Sequence, residues 1–135
     1  MLRSSNTTKY LIAGSPETPI ALLDELAQSH DPQVRMRVAE NPQTSLLTLL
    51  RLQFDESPEV KIGLSLNPMF PEVFLIQLAY DENADVRLGL AENHNLPESV
   101  LRILEEDSNP YVSDHAQKTL ALIEQNREMV MSNAA

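Results

Sequence analysis

The chain has 135 residues, 42% of them hydrophobic and 22% charged, and a formal net charge of −10. That length suits one domain with a moderate core, and the negative charge disfavours a nucleic-acid binder, which ordinarily carries a basic excess. Cysteine and tryptophan are both absent and aromatic residues make up 4% of the chain, which excludes disulfides, iron–sulfur clusters and thiolate zinc sites and leaves few platforms for stacking bases or sugars.

The opening residues, MLRSSNTTKY, lack the apolar core of a signal peptide. No apolar run approaches the roughly 18 residues of a membrane span, so no membrane association is expected. Together with the lack of cysteine this suits a cytoplasmic protein. From Ser15 onward the chain repeats itself with a constant period. Four copies align without a gap: SPETPIALLDELAQSHDPQVRMRVAE (15–40), NPQTSLLTLLRLQFDESPEVKIGLSL (41–66), NPMFPEVFLIQLAYDENADVRLGLAE (67–92) and NHNLPESVLRILEEDSNPYVSDHAQK (93–118). Leu23, Leu49, Leu75 and Leu101 share one column of this alignment. Leu26, Leu52, Leu78 and Leu104 share a second, and Val34, Val60, Val86 and Val112 a third. Residues 8–14, TKYLIAG, match the tail of a copy and read as an N-terminal half-unit cap. Residues 119–131 read as one longer capping helix. The whole chain, 1–135, is read as a single repeat domain.

The first part of each copy (about 19–28, 45–54, 71–80 and 97–106) predicts an α-helix of about ten residues, with Leu side chains three apart on one face. Pro19, Pro71 and Pro97 are expected at its first position, where a missing N–H costs nothing. The second part opens Asp31-Pro32, Ser57-Pro58, Asn83-Ala84 and Asn109-Pro110. A short polar residue followed by proline is the pattern of an N-cap and first helical residue. Against this, Val34, Met36 and Val38 alternate, as do Val86, Leu88 and Leu90, and alternation argues for a strand. Leu88, Leu90 and Asn93 even fit the strand core of leucine-rich repeats. Two columns favour a helix. Where an ordinary leucine-rich repeat needs a leucine, this chain has Gln33, Glu59 and Asp85. Where it needs an apolar residue after the asparagine, the chain has Gln43, Met69 and Asn95. A short second helix, α or 3-10, is therefore expected.

The patterns TP…LL..LA and D….VR..(V/L)AENP, clearest in residues 18–42 and 83–93, resemble the leucine-rich repeat variant family. The resemblance spans residues 8–120. It implies an all-α fold: a right-handed solenoid of four two-helix units, the second helix short, related in style to HEAT and armadillo arrays. The cysteine-rich module of some members has no counterpart here. The fourth copy departs from the pattern, with Ser113, Asp114 and Thr119 in place of the basic, apolar and asparagine residues, as befits an end unit.

Three columns are candidates for function. Arg35, Lys61 and Arg87 place one cation in each of three copies. They read either as a binding stripe for carboxylates or phosphates, or as a structural ladder with Asp55, Asp81 and Asp107, which also recur once per copy. Gly63 and Gly89 share a column with Arg37 and His115. Glycine within a short helix costs on the order of 1 kcal/mol, so either close backbone packing or a ligand should offset it. Arg35, Arg37, Lys61, Gly63, Arg87 and Gly89 are thus the candidate binding residues. Asn41, Asn67 and Asn93 read as scaffold at the corners. His30, His94 and His115 fall in different columns, and no metal-binding spacing, GxSxG or phosphate-cradling glycine loop occurs. No metal site, cofactor or catalytic residue is expected.

A repeat stack makes an extended surface whose exposed columns vary while its buried ones stay fixed. The expectation is a non-enzymatic scaffold that binds a protein or peptide, with a basic partner favoured by the charge. The rival readings are a nucleic-acid module using the Arg35, Lys61 and Arg87 stripe, and a structural subunit. A monomer or weak end-to-end association through Leu11, Ile12, Met129 and Val130 completes the expectation.

Overall fold

The computed structural model describes residues 5–134, and among them every regular element is an α-helix. In chain order these are α1 (Asn6–Gly14), α2 (Ile20–Leu26), α3 (Pro32–Glu40), α4 (Leu46–Leu52), α5 (Pro58–Ser65), α6 (Glu72–Leu78), α7 (Ala84–Ala91), α8 (Glu98–Glu105) and α9 (Pro110–Asn133). None of them is long and apolar enough to cross a membrane.

Local chemistry explains where the helices start. Side chains of Ser5, Asp31, Ser45, Asn83 and Asn109 each accept a hydrogen bond from a backbone N–H in the first turn they precede, which satisfies a donor that the helix itself leaves unpaired. Pro32, Pro58 and Pro110 occupy the first helical position, as their fixed φ favours. The prolines of the first helices sit one residue earlier than expected. Pro19 and Pro97 are N-caps with extended ψ of 144° and 138°, and α6 begins just after Pro71. Proline serves there because only its carbonyl is used: Pro19 O accepts from Leu22 and Leu23, and Pro97 O from Val100 and Leu101.

The second part of each copy is α-helical, and burial shows why period two misleads there. Val34, Val38 and Ala39 are buried while Met36 is not; spacings of four and five describe a helix face. The second helix is also not the shorter one. α2, α4 and α6 have 7 residues each, fewer than the ten expected, against 9 in α3 and 8 in α5 and α7. The separate cap over 119–131 does not exist either. The fourth copy's second helix runs on unbroken for 24 residues as α9.

Asparagine accounts for the stops. Asn41 Nδ2 donates to the carbonyls of Ala13 and Ser15, both at 2.8 Å, and Asn41 Oδ1 accepts from Gln43 N–H. Asn67 repeats this with Ala39 (2.8 Å), Asn41 (3.0 Å) and Met69. The acceptance two residues on is an Asx turn, which competes with helix, and Pro42 and Pro68 hold the asparagines extended. Thr119 stands in the same column. Its hydroxyl reaches Ala91 O at 2.6 Å, but it has no amide to make the turn and no proline follows, so the helix continues.

The helices form two compact units, one ending at Pro71 and one beginning at Glu72. In the first, α3 packs broadly against α1 and α5, with α2 and α4 beside them; in the second, α9 packs against α7 and α8, and α6 against α8. All three repeated columns are buried throughout: the leucines at 23, 49, 75 and 101, those at 26, 52, 78 and 104, and the valines at 34, 60, 86 and 112.

Asn67→Ala should lower the unfolding free energy by about 2–3 kcal/mol, because it strips donors from two buried carbonyls at once. Urea unfolding of the full chain measures this. A loss below about 0.5 kcal/mol, the scale of an ordinary surface change, would show that the clamp is dispensable.

Candidate functional site

The cation column is the natural place to look for a site, and the structure gives Arg35 and Arg87 the same surroundings. Arg35 Nε and Nη2 donate to the two carboxylate oxygens of Asp55 at 2.9 and 3.1 Å, and Nη1 donates to Ser29 O at 2.7 Å. Arg87 does the same with Asp107 at 2.7 and 3.4 Å and with the carbonyl of Asp81 at 2.7 Å. Each arginine thus joins a second helix to the turn that follows the next first helix. The aspartates also hold the turn, accepting from Ser57 N–H and Asn109 N–H two residues on. The paired side chains are only 15% and 8% exposed at Arg87 and Asp107. The hydrogen-bonded Asp55 carboxylate raises the Arg35 pKa above the usual arginine value, against the opposing pull of burial. Arg35 therefore stays charged at any working pH, and the pair contributes without pH dependence from this side.

Arg37, two residues along the same helix, engages different neighbours. Its guanidinium lies 4.9 Å from the centre of the Tyr10 ring, donates to Glu40 at 3.0 Å, and rests against Gly14, where a Cβ would collide with it. A shallow depression of about 250 Å³ surrounds it, lined by Gly14, Glu40, Asn41, Pro42 and Leu66. Lys61 lies half-buried on α5 and Gly89 half-buried on α7. The structure thus brings Arg35 and Arg37 onto one helix but into separate surroundings.

Gly63 faces a neighbouring helix. A Cβ there would stand 3.0 Å from Met36 O and 3.2 Å from Ala39 Cβ. Backbone φ is negative at every described residue, so this glycine serves the close approach of α5 to α3 and no turn requires it.

In the second unit an open groove of about 690 Å³ surrounds the Arg87–Asp107 pair. Tyr80, Glu82, Arg102, Ile103, Glu106 and Ser108 form its sides. Arg102 is tied to Glu105 at 3.2 Å, whereas the Glu82 and Glu106 carboxylates have no ion-pair partner among the described residues. An exposed phenol ring beside free carboxylates suits a cationic side chain, which the ring face and the charges both attract. No group of three histidine, aspartate or glutamate residues among the described ones is placed to hold a metal.

Tyr80 is 69% exposed, and Phe54, at the same position of the preceding copy, is 80% exposed. Neither was singled out from the sequence. The available signal was their column, which holds Gln28 and Glu106 in the outer copies; a column that admits both charge and aromatic is not core.

Compared with protein-family models, curated proteins and solved structures, the chain matches none of them.

Arg87→Met should cost on the order of 2 kcal/mol, between the value of an exposed pair and that of a broken buried one. A double-mutant cycle with Asp107→Asn should recover most of that as coupling; a coupling near zero would mean the two groups are independent. Gly63→Ala should lower stability by about 1 kcal/mol, since overpacking against a rigid carbonyl outweighs the gain in helix propensity. Thermal unfolding decides the sign.

Proposed function

We propose that this chain is a leucine-rich-repeat-variant-like scaffold, a right-handed solenoid of four two-helix units that binds a protein or peptide partner and has no catalytic role of its own. The repeated hydrogen bonds support the stacking. Asn41 and Asn67 each reach back to carbonyls 26 and 28 residues earlier, and Arg35 and Arg87 each reach forward to the aspartate of the next copy, so the arginine–aspartate link joins successive copies within each compact unit.

One observation carries the functional reading: exposed apolar side chains recur at the same spacing as the buried ones, one copy apart. Ile20 and Leu46 form one such pair, Leu47 and Val73 a second, Phe54 and Tyr80 a third, and all six are exposed. Scattered exposed apolar residues need no explanation, but repetition at fixed positions is not scatter. Aromatic residues are enriched at interfaces as anchors of binding energy. Charge narrows the partner's character: at −10 overall the chain steers basic partners towards itself, and the Tyr80 groove offers them unpaired carboxylates. The arginines that suggested nucleic acid have their guanidinium groups occupied by aspartate, which supports a protein partner instead. The cytoplasm is the compartment that a cysteine-free chain suits.

Self-association is a second reading with its own observation. Met129, Val130 and Met131 are all exposed near the end of α9, and a concentration series in light scattering reports whether they join copies.

Affinity capture from source-cell lysate, with and without nuclease, tests the principal reading. Wild-type chain should retain a stoichiometric protein that survives nuclease and is released by moderate salt. Tyr80→Ala and Phe54→Ser should each weaken capture severalfold at unchanged melting temperature. Capture that nuclease abolishes, or that neither variant alters, would overturn the proposal.

A further inference from the structure

The cation column has a fourth member in the N-terminal cap. Lys9, on α1, stands one period before Arg35, and Ser29 stands one period before Asp55, in the column that continues with Asp81 and Asp107. Serine keeps only half of the aspartate's work. Its Oγ accepts from Asp31 N–H at 3.2 Å, the turn contact that Asp55 and Asp107 make with Ser57 and Asn109. The carboxylate that would meet the cation is missing. Lys9 is half-buried, and among the described residues its ammonium has no hydrogen-bond or ion-pair partner.

Lys9 and Ser29 share the lining of one open space. A groove of about 420 Å³ separates the cap from α2. Its lining includes the aliphatic side chains of Ile12, Leu22 and Leu26 and the polar side chains of Lys9, Ser29 and His30. Glu25 is the one acidic group on the lining. An apolar groove that also carries an unpaired ammonium is complementary to an aliphatic or aromatic side chain followed closely by a carboxylate. A free inorganic anion would leave the apolar walls wet, so it fits poorly.

We propose that this groove binds a short apolar–acidic peptide segment of a partner, whose Asp or Glu carboxylate completes with Lys9 the ion pair that Ser29 leaves unmade. The chain contains the template of such a ligand: in Leu52, Phe54 and Asp55 an apolar stretch is followed by the aspartate that Arg35 grips. This site shares no lining residue with the Tyr80 groove and does not rest on the function proposed above.

The test uses the full chain and the blocked peptide acetyl-LQFD-amide, which reproduces residues 52–55, with its Asp55→Asn counterpart as control. Binding is followed by calorimetry and by methyl NMR of Ile12, Leu22 and Leu26. The aspartate peptide should bind and shift these methyls, and the asparagine peptide should bind at least about tenfold more weakly, as expected for one lost charge-assisted hydrogen bond. Lys9→Met should weaken binding by the same factor. Ser29→Asp should abolish it by supplying the carboxylate in cis, with a rise in Tm that a merely disrupted fold would not show. Equal binding of the two peptides, undiminished binding to either variant, shifts confined to the Tyr80 groove, or no binding at millimolar peptide would each overturn the proposal.

Discussion

A helix that ends in the interior leaves its last carbonyl groups without partners, and this chain meets that constraint with one residue per copy. Asn41 and Asn67 are almost wholly buried. Each spends its two N–H groups on carbonyls 26 and 28 residues earlier and its oxygen on the N–H two residues ahead. Any buried carbonyl left over would cost about 1–3 kcal/mol, so the arrangement tolerates little change in length. A single inserted residue would move the amide away from both carbonyls while shifting the Leu and Val columns off the core face. The constant period is thus set by polar groups as firmly as by apolar ones.

The same residue explains what could and could not be read from the sequence. Buried columns are legible because burial demands the same residue type in every copy, and Leu23 or Val34 can be assigned to the core on that ground alone. Helix against strand is harder at 34–38, where Val, Met and Val alternate; polar columns and Pro32 decide it, and burial of Ala39 beside Val38 gives the physical reason. The continuous α9 was not legible. Thr119 looks like a loss of asparagine at an end unit, and its consequence appears only once the asparagine is seen to make the helix stop. The ion pairs were half legible: the columns named the charges, and the structure supplied the partner, Asp55 for Arg35 and Asp107 for Arg87. Exposed aromatics in the turns after the leucine-rich helices were the least legible, since Phe54 and Tyr80 lie two residues beyond buried Leu52 and Leu78 and only the solvent boundary separates them.

Charge acts at two ranges in this molecule. Most of its cations are matched locally: Arg35 and Arg87 by aspartate, Arg37 by Glu40, Arg102 by Glu105, Lys118 by Asp114 and Arg127 by Glu98. What remains to act at a distance is the surplus of carboxylates, and beyond roughly 10 Å in ordinary salt even that is screened. A basic partner is therefore drawn in by the whole surface, while an acidic group gains only once it reaches a particular unpaired cation. Long-range steering and short-range recognition can favour opposite signs on one chain without contradiction.

Repetition makes such a local exception visible. In a chain without repeats, a lysine near a serine carries no information, because nothing says what should stand there. Here Arg35 and Arg87 state the rule, and Lys9 with Ser29 departs from it: the turn contact is kept and the carboxylate is not. The departure lies in the cap, where α1 stands in for a full unit. The packing of α1 against α3 is already secured there by Asn41, which grips Ala13 and Ser15, so the ion pair is a link this end can do without. A position released from structural duty beside neighbours that stay hydrogen-bonded lowers the ordering that binding must still impose, and that is the condition under which a small groove can bind a short segment usefully.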